Sequence, residues 1–355
     1  MSDELVPIQN EVLVPADLST PQAVHDFLAQ LLPSTRGEGK GTLPGALVPW
    51  LCDRVPSENG RKAYGRDLRQ FLAHLEAFGI DPTEVTGDDL RMYKEALRQA
   101  GMASSTIARK LSVLRGTYEQ WGKKGFVNWE AVADIQSAES PRVEKNGTPG
   151  LTQTEANELL KVAREKAANP GRLKHQQLLA LRDYALLFTF FRTACRVSAI
   201  AGVSVGHVER SDTDWYLRVT EKGNKRARKI LLEAAPALLA YIDAAEIRDD
   251  RDGPLFRPLS KDRKGFARKH LDRKDVLDIV KRHARAAGID VDRIDSRGVG
   301  VHSLRKTTIT NALNNGAPMH QVQELAGHAD IRTTQGYYMK KDSDAEAAAR
   351  HIQIR

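Results

Sequence analysis

The chain has 355 residues, 41% of them hydrophobic and 6% aromatic, with a formal charge of +8 at pH 7. That length favours two domains with cores built mainly from Leu, Ala, Val and Ile, and the positive balance favours a polyanionic partner, nucleic acid before others. Two cysteines, Cys52 and Cys195, are too few for a disulfide framework or a structural zinc site. No basic-then-apolar leader opens the chain and no apolar run reaches about 18 residues, so a soluble, cytoplasmic protein with no membrane partner is expected.

Residues 1–42 read as a flexible N-terminal extension with one short helix over 21–32, ending in the glycine-rich Arg36-Gly37-Glu38-Gly39-Lys40-Gly41. It lacks the basic look of a separate DNA-binding arm. Residues 43–135 read as a helical domain. Tyr64, Leu68, Phe71, Leu72, Leu75 and Phe78 fall on one face at three- and four-residue steps, and Gly79 stops that helix. Asp88 or Asp89 caps the next, through Met92, Tyr93, Ala96 and Leu97. Ser104 or Ser105 starts another, with Ile107, Leu111, Leu114, Tyr118 and Trp121 as its stripe. Arg61, Lys62, Arg66, Arg69, Arg98, Arg109, Lys110 and Arg115 are assigned to the outer faces, either as plain solvated charge or as a DNA-facing surface.

Residues 136–150 hold Pro141, Gly147, Pro149 and Gly150 and read as a linker. Thr152-Gln153-Thr154-Glu155 is a capping box that opens a second domain, 151–340. A long apolar helix is expected over 177–191. Trp215 to Thr220 alternates like a strand, with a partner over 228–232 across a turn. Helices resume near 236–246, 273–287, 303–315, 319–326 and 330–338. The tail, 341–355, is charged and then alanine-rich, which suits a short helix.

The chemistry concentrates late in the chain. His302-Ser303-Leu304-Arg305 is followed by Leu325-Ala326-Gly327-His328, with Tyr337 nine positions on, and Ala194-Cys195-Arg196-Val197-Ser198 lies upstream. Two guanidiniums, two imidazoles and a phenol are the parts needed to break a phosphodiester. Guanidiniums bind phosphate oxygens in pairs and stay ionised, and fixed donors aimed at developing charge are the largest usual catalytic term. A tyrosine nucleophile keeps the phosphoryl group and its bond energy for rejoining. Its phenol, with an ordinary pKa of about 10, needs a base and a cationic surrounding, which His302 and His328 can help to supply. The departing 5′-hydroxyl needs a proton, and Lys222 in Glu221-Lys222-Gly223-Asn224-Lys225 suits that, with Lys225 as the alternative. Taken singly, each residue has a plainer reading. His302 would neighbour a helix N-cap, Arg305 would be a surface arginine, His328 a helix-end histidine and Tyr337 a core aromatic, with Tyr338 the alternative phenol. Cys195 is expected to pack rather than react, and His270, His283 and His320 show no metal-ligand pattern.

From about Thr152 to Lys340 the chain resembles the catalytic domain of the tyrosine recombinases, the phage integrase family. The likeness rests on Arg196 in Cys-Arg-Val-Ser, the Lys-Gly-Asn-Lys turn, His302-x-x-Arg305, Leu-Ala-Gly-His328 and Thr333-Thr334-Gln335-Gly336-Tyr337. The preceding bundle resembles that family's core-binding domain. The resemblance implies a mainly α fold with a small antiparallel β-sheet. It implies Tyr337 as the residue forming a 3′-phosphotyrosine bond, Arg196, His302, Arg305 and His328 around the scissile phosphate, and Lys222 as general acid, with no cofactor and no metal. It also implies site-specific recombination of double-stranded DNA at inverted-repeat core sites in the nucleoid, a homodimer per site, a homotetramer in synapsis and a Holliday junction, with the tail docking in trans. Integration or excision, and resolution of a mobile element, plasmid or chromosome dimer, are the programmes it admits. Two departures stand out. The acid usual three positions after the first arginine is Ala199 here, and the usual Thr-Gly-Leu-Arg reads Thr193-Ala194-Cys195-Arg196. A type IB topoisomerase and a noncatalytic DNA-binding regulator on the same fold are the competing readings.

Overall fold

Apolar stripes at helical spacing run through both halves of the chain, and each half closes them into its own core. The computed structural model describes residues 17–33, 36–37, 41–143, 150–221, 223–292 and 298–337. It divides into two compact units, Met1–Lys145 and Asn146–Arg355.

The first unit is a helical bundle. It comprises α1 (Pro21–Leu31), a short antiparallel ladder of β1 (Arg36–Gly37) and β2 (Gly41–Thr42), then α2 (Leu43–Arg54), α3 (Glu58–Ala77), α4 (Gly87–Gln99), α5 (Ser104–Lys123) and α6 (Trp129–Ser137). Phe71, Tyr93, Tyr118 and Trp121 form the aromatic centre, with Phe71 edge-on to Tyr93 at 5.0 Å. Trp121 satisfies its indole N–H on the Leu43 carbonyl at 3.2 Å. The reading of residues 1–42 as a flexible extension is corrected here. Residues 1–16 lie outside the described residues, but Leu18, Val24, Phe27, Leu28 and Leu32 are buried in the bundle core. The Val24, Phe27, Leu28 spacing makes α1 amphipathic, and its apolar face is covered.

Three smaller expectations are also corrected. The cap of α4 is Thr86, whose hydroxyl accepts from the Asp89 N–H while Asp89 accepts from the Thr86 N–H in return. A hydroxyl one turn earlier than the aspartates satisfies the first free amides better. Arg61 and Lys110 are buried rather than on outer faces. Arg61 donates to the Ser19 carbonyl, and Lys110 lies 2.8 Å from the buried Asp67, which Arg109 also binds.

The second unit contains α7 (Gln153–Ala168), α8 (Lys174–Thr193), α9 (Val197–Ala201), a 3-10 turn (Val205–His207), β3 (Val208–Ser211), β4 (Asp214–Glu221), β5 (Lys225–Ile230), α10 (Ala234–Ala244), α11 (Arg273–Ala286), α12 (Val301–Asn314), α13 (Met319–Ala326) and α14 (Ile331–Gln335). Thr152 and Glu155 form the expected capping box. The sheet is antiparallel in the order β3-β4-β5, with Leu217 opposite Lys229 and Glu221 opposite Lys225. The architecture is therefore mainly α with a small antiparallel sheet, as the sequence implies. β3 and α9 were not expected. Both are too short to show a period.

The long helix α8 is pinned by a buried ionic cluster. Asp183 takes two bonds from Arg182, one from Arg282 and one from His283 at 3.2 Å. Burial alone would push the Asp183 pKa up, but the His283 hydrogen bond and the Arg182 and Arg282 charges outweigh it and hold the carboxyl below its ordinary value. Removing one partner strands the others, so Asp183→Asn is expected to destabilise this unit by about 3–5 kcal/mol. Breaking the exposed Arg248–Asp243 pair with Arg248→Ala should cost less than about 1 kcal/mol. Urea unfolding of the full chain, following the transition of this unit, measures both.

Candidate active site

Arg196 is placed by the break between α8 and α9. Ala194 ends α8 in the left-handed region at φ 49° and its N–H returns to the Phe190 carbonyl, so the chain turns sharply before Arg196 opens α9. Arg305 projects from α12. Its Nη1 donates to the Ala194 carbonyl, and its Nη2 donates to the Ala326 carbonyl at 2.6 Å and meets His328 Nε2 at 2.9 Å. The group is buried, and burial followed by the Arg196 charge pushes its pKa down.

His328 follows Gly327, which caps α13 in the left-handed region at φ 62°. Its N–H bonds the Gln323 carbonyl and its carbonyl accepts from the Gln323 amide, both at 3.1 Å, so the backbone here is clamped. A guanidinium has no acceptor, so Nε2 of His328 must accept from Arg305. Nδ1 then carries the proton and donates to the Thr334 hydroxyl at 2.9 Å. Burial, then Arg305, Arg196 and His302, depress the His328 pKa to about 4, so the ring is neutral near pH 7. His302, exposed on the first turn of α12, is also pushed down by partial desolvation and by Arg305, Lys306 and Arg196.

Tyr337 lies in the turn after α14. Its N–H bonds the Thr334 carbonyl at 3.0 Å, and its ring stacks on His328 with centroids 5.7 Å apart. It packs against a small core that includes Ala194, Ile309, Leu313 and Val322, and its phenol is near enough to act electrostatically on Arg305. Arg196, His302, Arg305, His328 and Tyr337 are thus brought to one place from α9, α12, the α13 cap and the chain after α14. Lys222, Tyr338 and the tail 341–355 lie outside the described residues, and Lys225 is exposed at the start of β5. Cys195 is fully buried and burial pushes its thiol up to about 11, which suits packing. His283 is buried on Asp183 rather than near this cluster.

The sequence reading missed three members of the surroundings. Glu221 accepts from Arg196 Nη1 at 2.5 Å. Lys229 is buried and donates to the Leu325 and Glu324 carbonyls at the end of α13. Thr334 fixes the His328 tautomer. Only alternation could have flagged the two charges. Glu221 and Lys229 occupy the inward positions that Leu217, Val219 and Ala227 share.

Against known proteins, residues 150–344 match the model of the phage integrase family, and residues 51–122 match that of the phage integrase N-terminal SAM-like domain. The chain is 30% identical over 283 residues to the tyrosine recombinase XerD of Bifidobacterium longum, covering 78% of this chain and 84% of the relative. It is 30% identical over 309 residues to XerC of Mesorhizobium japonicum, covering 84% and 91%. Among solved structures, XerH site-specific recombinase bound to palindromic difH substrate superposes with a TM-score of 0.64 at 15% identity, covering 93% and 94% of the two chains. The Tn1549 transposon integrase in complex with circular intermediate DNA gives 0.61 at 14% identity, covering 87% and 99%. The chain belongs to the phage integrase family and is a site-specific tyrosine recombinase.

Proposed function

We propose that this recombinase cuts and rejoins duplex DNA through a phosphotyrosine at Tyr337. The observation that carries the reading is the convergence of Arg196, Arg305, His302 and His328 beside the Tyr337 ring. The Tyr337 oxygen attacks the phosphorus and the bond to the 5′-oxygen breaks. The phenol proton passes to His302, since both ring nitrogens of His328 are engaged, and the leaving oxygen takes a proton from Lys222. The phosphoryl group stays as a 3′-phosphotyrosine, and a 5′-hydroxyl from the partner strand reverses the sequence. Arg196 and Arg305 hold the nonbridging oxygens throughout. The exchanged bonds are nearly equal in energy, so the sequence needs no nucleotide.

Duplex DNA with inverted-repeat core sites is the proposed partner. The palindromic substrate of XerH has the symmetry that two protomers on one site require. Two occupied sites would pair as a tetramer and exchange strands one pair at a time through a Holliday junction. The helical bundle, with α1 included, serves as the core-binding domain and the 151–340 segment as the catalytic domain. The formal charge of +8 supports affinity that falls steeply with salt. Integration and excision, or resolution of a mobile element, plasmid or chromosome dimer, are the programmes such a reaction serves.

Covalent capture of a nicked duplex tests the chemistry. The parent protein is expected to form an adduct that Tyr337→Phe abolishes, and Arg196→Lys should slow capture by about 10²–10³-fold. An adduct that persists in Tyr337→Phe would remove Tyr337 from the role of nucleophile.

The neutral His328 carries a second prediction. A free histidine titrates near 6.5, whereas His328 in the fold titrates near 4. Below about pH 6.5 the unfolded chain takes up a proton that the folded site refuses, so stability present above that pH is lost as pH falls towards 4. Between pH 7 and pH 5 the urea midpoint of the parent should therefore drop more than that of His328→Gln. Equal drops would show that His328 is not held neutral by the fold.

A further inference from the structure

Glu221 ends β4 on the inward side, following Leu217 and Val219, where alternation calls for an apolar side chain. Its carboxylate is 3% exposed, and Oε2 lies 2.5 Å from Arg196 Nη1. The other oxygen, Oε1, is buried and has no hydrogen-bond partner among the described residues. A half-satisfied buried carboxylate works against folding, so stability gives no reason for an acid at this position.

Its neighbours give one. A Cβ on Gly327 would stand 3.6 Å from the Glu221 carboxyl carbon, so the backbone just before His328 rests against the carboxylate. Glu221 is also the register partner of Lys225 across β4 and β5. The carboxylate therefore binds Arg196 and lies beside the backbone turn that leads into His328. Meanwhile Ala199, at the position where the resemblance expects an acid, is buried and uncharged, so α9 offers Arg196 no carboxylate from there.

We infer that Glu221 is the positioning residue for Arg196, a carboxylate on the sheet supplying the support that α9 lacks at Ala199. One oxygen fixes one nitrogen of the guanidinium and leaves the other N–H groups for the scissile phosphate. An arginine on a flexible stem would otherwise sample several rotamers, and a misplacement of about 1 Å at a reacting group can slow chemistry about 10²-fold. The inference rests on the proposed role of Arg196 as a phosphate ligand.

The test uses the full chain and two measurements. The first is single-turnover covalent capture of nicked inverted-repeat duplexes, selected from a randomised pool by capture on the parent protein. Glu221→Ala should slow capture about 10²-fold while equilibrium binding of the same duplex stays within about twofold. Glu221→Gln keeps the shape and an acceptor oxygen, and should fall between Glu221→Ala and the parent. It also serves if Glu221→Ala does not fold. A residue that acts only through Arg196 adds nothing once Arg196 is gone, so Arg196→Ala/Glu221→Gln should capture no more slowly than Arg196→Ala. A purely structural residue would make the double variant slower still.

The second measurement needs no DNA. The Arg196 guanidinium should give separate Nη NMR signals in the parent and rotationally averaged signals in the Glu221 variant. Capture at the parent rate in both Glu221 variants, or a double variant well below Arg196→Ala, overturns the inference. A parent protein that captures no duplex refutes the phosphotyrosine reading instead. The NMR comparison then decides alone, and averaged signals in both proteins overturn the hold of Glu221 on Arg196.

Discussion

The site depends on how one guanidinium is held. Arg305 donates to the carbonyl that ends α8, to the carbonyl that ends α13, and to a neutral imidazole. Helix C-termini carry partial negative charge and unpaired carbonyls, so a buried cation between two of them is compensated without a full counter-charge. The same contact brings three segments far apart in the chain to one point. Arg196 comes with the first, His328 with the second, and Thr334 with Tyr337 by way of the histidine. Lys229 repeats the device on the two preceding carbonyls of α13, those of Glu324 and Leu325, which ties the sheet to the same helix end.

Buried carboxylates separate scaffold from site. Asp67 in the bundle is enclosed by Arg109 and Lys110, and Asp183 in the second unit by Arg182, Arg282 and His283. Both of those acids use each oxygen. Glu221 uses one and leaves the other without a described partner. Neither satisfied acid bonds any of the clustered candidates, whereas the unsatisfied one bonds Arg196.

Much of this was legible in the chain before any coordinates. Long periodic helices were read correctly because their stripes are intrinsic to the sequence, as with Tyr64 to Leu75 on α3 and Ile107 to Trp121 on α5. The five clustered candidates were readable because their order and spacing carry chemistry. What escaped depends on three-dimensional neighbours. α1 was legible as a short helix but was read as part of a flexible extension beside a glycine-rich segment, yet its apolar face joins the bundle core. Arg61 and Lys110 looked like surface charge because a sequence does not show that Asp67 and the Ser19 carbonyl wait beneath them. Glu221 was visible only as the residue before a motif lysine. Its partner lies 25 positions earlier on another element, which no local pattern encodes.

Ala194 holds a backbone shape that a side chain disfavours. The resemblance to Thr-Gly-Leu-Arg puts glycine at this position, and a methyl group there stiffens the corner. Its carbonyl anchors one arginine while the chain leaving it delivers the other. The corner therefore behaves as a single rigid joint for both arginines. Any shift at that joint would move the two together, so the site can be misaligned as a block but not half-assembled.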